Sequence, residues 1–170
     1  MQNAPGLDAR DCVLHITTPS FDMAVPEFYL PLTVGAKIII ASRETARDAI
    51  LLANALEHFD VTLLQATPAS WRLLLSANWA GRPNLKAMCG GEALSKELAV
   101  QLQSRVSELW NMYGPTETTV WSTCGHVAEI DGSQFPSESI CCTAATCLSW
   151  KSRLVSSYFA NYNPVFGRYE

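Results

Sequence analysis

Short apolar runs alternate with stretches of helical period through Thr123, and this alternation restricts the possible folds more than any other feature. Residues 12–17, 37–41, 61–65, 85–89, 108–112 and 119–123 read as strands. Most are β-branched or continuously apolar, the character of strands covered on both faces of a parallel sheet. Between them, residues 44–57 place Ala46, Ala49, Ile50, Ala53 and Leu56 on one helical face behind a cap at Ser42. Residues 68–77 begin with proline after Thr67 and carry Trp71, Leu74 and Leu75 on one side. Leu94, Leu98, Leu102 and Val106 recur every four residues around Ser95 and Glu97, which predicts another helix. Parallel strands need long crossovers, so the expected class is α/β: a mostly parallel sheet with packed helices.

Composition excludes several classes of function. The 170 residues are 48% hydrophobic and 16% charged, enough to build one core and too apolar for a disordered chain. The net charge of −4 and the lack of any Lys/Arg cluster argue against nucleic-acid or anionic-membrane partners. No apolar run approaches the roughly 20 residues of a spanning helix. Residues 1–9 have neither a basic region nor an apolar run, so a cytoplasmic chain without a secretory leader is expected. Cys12, Cys89 and Cys124 are scattered through apolar contexts and read as free thiols. Cys141, Cys142 and Cys147 lack the spacing and the histidine of a zinc site.

Beyond Gly132 the pattern stops: residues 133–170 hold seven serines and three cysteines without helical or alternating period. The expected division is a core over residues 8–132 and a tail of unassigned structure, read as frame-shifted or intron-derived.

The densest chemistry lies in Asn111-Met112-Tyr113-Gly114-Pro115-Thr116-Glu117-Thr118-Thr119. The run leaves a strand, turns at Gly-Pro, and offers a ring face, hydroxyls and a carboxylate. Such parts suit a nucleotide phosphate and a hard cation, although a strand followed by a polar turn has the same composition. The longer run NMYGPTETTVWST resembles the adenine- and magnesium-binding motif of the adenylate-forming, AMP-binding enzymes, specifically the adenylation domains of nonribosomal peptide synthetases. SFDMAVPEFYLPLTVGAKIIIASRE, VTLLQATPASWRLLL and LKAMCGGEAL resemble three further stretches of that family, in the same order.

The resemblance implies roles by position. Asp22 would bind the α-ammonium of an amino-acid substrate, since an ammonium entering an apolar pocket needs a carboxylate; on local pattern it also reads as a helix cap after Ser20. Gly90, Gly91 and Glu92 would lie along the adenine, where a missing Cβ permits close approach. Asn111, Met112, Tyr113 and Gly114 would complete the nucleotide site, with Thr116 on the α-phosphate and Glu117 on Mg²⁺. Asp22, Met23, Pro26, Gln65, Met88, Gly90, Met112, Val120 and Trp121 would line the side-chain pocket. That bulky set resembles the lining used for glycine. Met23, Met88, Met112 and Val120 depart from it conservatively. Pro26 departs more, and is placed to bend the helix that carries Asp22. The same methionines and tryptophan also suit an ordinary core, and His15, His58 and Trp71 are assigned no role.

The resemblance implies an ATP-dependent ligase that activates an amino acid as its adenylate and passes it to the phosphopantetheine of a peptidyl carrier domain, among neighbouring synthetase modules. The family's phosphate-loop and C-terminal lysines have no counterpart in this sequence. No catalytic residue is therefore assigned, and the isolated chain is expected to be inactive. The alternatives are a degenerate nucleotide- or partner-binding remnant and an acyl- or aryl-acid ligase of the same superfamily.

Overall fold

The computed structural model describes residues 2–114 and 120–127. Strands β1 (Cys12–His15), β2 (Lys37–Ile40), β3 (Leu63–Ala66), β4 (Arg82–Cys89), β5 (Val106–Tyr113) and β6 (Thr123–His126) form one sheet in the order β2-β1-β3-β4-β5-β6. The first five run parallel, and β6 returns antiparallel to β5. Helices α1 (Ala24–Val34), α2 (Ala49–His58), α3 (Pro68–Ser76) and α4 (Lys96–Gln103) make the crossovers. The α/β class expected from sequence is the one observed.

Register explains where the core sits. Leu14, Leu64, Ala87 and Leu109 stand side by side across four strands, and all are buried. Leu52 and Leu56 of α2, Trp71 and Leu74 of α3, and Leu98 and Leu102 of α4 close over this row. The other face carries Val13, Leu63, Met88 and Met112, against which Leu30 and Val34 of α1 pack. Helices thus leave β1 and β3 toward opposite faces, and the carboxyl ends of those neighbouring strands frame a crevice, the usual ligand position in open α/β sheets.

Local chemistry sets the helix ends. Thr67 Oγ1 accepts from Ser70 N at 3.3 Å with Pro68 in the first turn, and Ser95 Oγ accepts from Leu98 N at 3.3 Å. Cys12 and Cys89 are buried free thiols, and Cys124 is a half-buried one.

Four local expectations change. The helix over residues 44–57 is two pieces. Ser42 Oγ accepts from Thr45 N at 3.0 Å at the head of a short 3-10 turn (Thr45–Arg47), then Asp48 turns extended and its Oδ1 accepts from Ile50 N and Leu51 N at 2.9 Å, starting α2 anew. This shifts the buried face to Leu52, Ala55 and Leu56 and leaves Ile50 64% exposed. Val106 belongs to β5, because α4 ends at Gln103. The last strand starts at Thr123, since Val120 takes a left-handed backbone (φ 63°) that a pleated ladder cannot hold. Pro26 lies in the first turn of α1, where no intrahelical N–H is required, so it does not break the helix. The tail over residues 133–170, with Cys141, Cys142 and Cys147, lies outside the described residues.

Because burial of α2 follows the observed face, Leu64→Ala on the central row should cost about 2–5 kcal/mol. Ile50→Ala should stay within about 0.5 kcal/mol. Urea denaturation of both variants checks this; equal losses would contradict the packing.

Candidate functional site

Parallel strands place their carboxyl ends along one edge, and the sequence-predicted residues that fall within the described regions follow that edge. Asp22 and Met23 precede α1 after β1; Gln65 is the penultimate residue of β3; Gly90 to Glu92 follow β4; Asn111 to Tyr113 end β5; and Val120 and Trp121 lie on the return to β6. Gln65, Met88 and Trp110 are register neighbours, as are Ala66, Cys89 and Asn111 on the next row. Thr116 and Glu117 lie outside the described residues.

A compact wall forms from one part of this set. Met23, Gln65, Met88 and Met112 are buried at 2% exposure or less. Trp121 lies over Gly90 so closely that a Cβ there would fall 2.4 Å from its Cη2 and 2.9 Å from the Met112 Cβ. Gly91 has φ +83°, with Met23 Sδ 2.9 Å from where its Cβ would stand, so both glycines are required by geometry. Gly114 admits the return strand: a Cβ there would meet Val120 O at 2.2 Å, and Ser122 N donates to Tyr113 O at 2.9 Å. Asn111 is buried, Pro26 is half-buried, and Tyr113 and Glu92 are exposed beyond the wall.

Asp22 is half-buried, and its carboxylate has no hydrogen-bond or ion-pair partner among the described residues. It is not a cap: only its backbone carbonyl engages α1, accepting from Val25 N at 3.0 Å. An unpartnered carboxylate beside an apolar wall can receive a cation. No group of three or more His, Cys, Asp or Glu side chains among the described residues is placed to hold a metal ion.

Sequence reasoning missed Glu27. Its side chain is 1% exposed inside α1. Oε2 accepts from Ile16 N at 3.0 Å and Thr17 N at 3.2 Å and lies 2.7 Å from His15 Nδ1. Oε1 accepts from Thr17 Oγ1 and from Gln65 Nε2 at 2.8 Å. Gln65 Nε2 also donates to Met23 O at 2.6 Å, and Gln65 Oε1 accepts from Trp121 Nε1 at 2.9 Å. His15, assigned nothing from sequence, is buried here against Phe28 with ring centroids 3.9 Å apart. The available signal was a lone carboxylate inside the apolar stretch MAVPEFYLPLTV. His58 and Trp71 stay outside the site: the first is exposed against Phe59, and the second is core, with its Nε1 donating to Met88 O at 3.2 Å.

The family described as AMP-binding enzyme matches residues 1–151. The chain is 42% identical over 129 residues to a dimodular nonribosomal peptide synthase of Bacillus subtilis (strain 168), covering 76% of this chain and 5% of that protein. It is 36% identical over 120 residues to tyrocidine synthase 3 of Brevibacillus parabrevis, covering 69% of this chain and 2% of that protein. A crystal structure of a four-domain nonribosomal peptide synthetase bound to AMP and glycine superposes with TM-score 0.73 at 41% identity, over 76% of this chain and 10% of that one. The N-terminal subdomain of Klebsiella oxytoca NpsA in complex with 3-hydroxyanthranilyl-AMSN superposes with TM-score 0.66 at 28% identity, over 75% and 33% of the two chains.

Two outcomes follow from the wall. Gly90→Ala should expel the Trp121 ring rather than shift backbone, seen as a change in near-ultraviolet circular dichroism; an unchanged aromatic spectrum would contradict the contact. Burial pushes the Cys89 thiol up to about 12. The neutral thiol is therefore favoured in the folded state, and its stability is complete below the unfolded value of about 8.5 and is lost as pH rises toward the folded one. Urea midpoints should fall above about pH 8.5 more steeply in the wild type than in Cys89→Ala.

Proposed function

We infer a function from one premise: the chain belongs to the AMP-binding enzyme family. We propose that it is the pocket-bearing part of an adenylation domain in a nonribosomal peptide synthetase. The reaction is attack of an amino-acid carboxylate oxygen on the α-phosphorus of ATP, which forms an aminoacyl adenylate and releases pyrophosphate. The phosphopantetheine thiol of a peptidyl carrier domain in the neighbouring modules then attacks the acyl carbon, forming a thioester as the bond to phosphate breaks and AMP leaves. Positioning and charge neutralisation carry such chemistry without a protein nucleophile.

The observation that carries this reading is the half-buried Asp22 carboxylate, unpartnered among the described residues and next in sequence to Met23 of the apolar wall. Asp22 receives the substrate ammonium. Met23, Pro26, Gln65, Met88, Gly90, Met112, Val120 and Trp121 face the side chain. Gly90, Gly91 and Glu92 run along the adenine, with Asn111, Met112, Tyr113 and Gly114 completing that site. Thr116 serves the α-phosphate. Glu117 would hold a magnesium ion bound with the nucleotide, and that ion would supply charge neutralisation at the phosphates.

Glycine is the proposed substrate. Trp121 fills the space over Gly90, which leaves little room for a side chain. The glycine-bound synthetase at 41% identity supports this choice over the aryl ligand of the 28% identical neighbour, since an aryl acid has no ammonium for Asp22.

The test is amino-acid-dependent ATP–pyrophosphate exchange in an adenylation domain containing this chain. Glycine should outperform phenylalanine, and Asp22→Asn should raise the glycine KM on the order of a hundredfold or more, as loss of a desolvated charge partner does. Preference for a bulky amino acid would refute the glycine assignment. Indifference to Asp22→Asn would refute the ammonium site.

A further inference from the structure

A glutamine amide is asymmetric, with two N–H donors at one end and an acceptor at the other, so its neighbours decide which way it faces. Gln65 has no exposed surface, and both of its donors are engaged, by Met23 O at 2.6 Å and by Glu27 Oε1 at 2.8 Å. Its acceptor end is thereby directed at Trp121 Nε1, 2.9 Å away. In the opposite orientation, oxygen would face two acceptors and N–H₂ would face the indole N–H.

Glu27 is itself held without freedom. Ile16 N and Thr17 N donate to Oε2, and the Thr17 hydroxyl donates to Oε1. With those donors on its two oxygens, the carboxylate presents an acceptor to Gln65 and admits one orientation of the amide.

We propose that Glu27 is a positioning residue for the amino-acid pocket: through the Gln65 amide it holds the Trp121 indole against Gly90 and so sets pocket size without touching the substrate. This deepens the adenylation reading and rests on it for the consequence on substrate choice. Glu27→Gln keeps the shape of the side chain and replaces an acceptor with a donor. If its remaining oxygen serves Ile16 and Thr17, its N–H₂ opposes that of Gln65. The amide of Gln65 then loses one of its two anchors, and the indole loses a fixed acceptor.

The test uses indole N–H exchange in the 170-residue chain labelled with ¹⁵N-tryptophan. In Glu27→Gln, exchange at Trp121 should rise about tenfold, the scale of one lost hydrogen bond. Trp71, whose Nε1 donates to Met88 O, is the internal control and should not change. Gln65→Met, which leaves the bonds from Ile16 and Thr17 to Glu27 in place, should reproduce the Trp121 effect and covers the case of a Glu27 variant that fails to fold. An unchanged Trp121 in either variant, or equal acceleration of Trp71 and Trp121, would overturn the proposal. In an adenylation domain containing this chain, Glu27→Gln should raise the glycine KM at constant kcat and narrow the preference for glycine over larger amino acids. A wild-type domain without amino-acid-dependent exchange would refute the adenylation reading, while the indole result would still decide the role of Glu27.

Discussion

Taking a carboxylate out of water costs several kcal/mol unless hydrogen bonds replace those of the solvent. Glu27, at 1% exposure, meets that requirement with donors from two separate parts of the chain: the segment just beyond β1, through Ile16 N, Thr17 N and the Thr17 hydroxyl, and the Gln65 amide of β3. A single buried carboxylate therefore ties α1 to the chain beyond β1 and to β3, and its removal would leave several donors unsatisfied. The sheet supplies a rigid edge, and this carboxylate fixes what stands on it.

Legibility in the sequence divided along physical lines. The strands were readable because parallel strands covered on both faces are continuously apolar, a signal that needs no knowledge of partners. Helix α1 was not, since the residues it buries are Ala24, Glu27 and Pro31, while Val25, Tyr29 and Leu32 face outward. A hydropathy pattern places that helix backwards. The break before α2 was hidden for a related reason. Apolar residues continue through Asp48, and only the competition between its side chain and the helical backbone ends one element and starts another.

For the site, the motifs marked which segments meet, and the parallel topology brought their ends together. The contacts that give the wall its shape join residues distant in sequence: Trp121 with Gly90, and Trp121 with Gln65. No local pattern encodes that Gly90 is glycine because an indole lies across it. Glu27 escaped notice for the complementary reason, because its place is set by hydrogen-bond partners at positions 16, 17 and 65 rather than by neighbours in a motif.

The two halves of the site differ in exposure, and this difference has a chemical sense. Met23, Gln65, Met88 and Met112 are almost fully enclosed, whereas Tyr113 is 62% exposed and Gly91 and Glu92 are open to solvent. A pocket that discriminates by size must resist deformation, because one methylene is worth only about 1–3 kcal/mol and a yielding wall would dissipate it. Close packing and a fixed amide give the wall that resistance. The proposed nucleotide platform has the opposite need, since its ligand is large, charged and has to enter and leave. Under the proposed reading, rigid packing therefore concentrates where the smallest energetic distinction would be made, at Trp121 over Gly90, and the chain reaches it through hydrogen bonds that begin at a buried carboxylate.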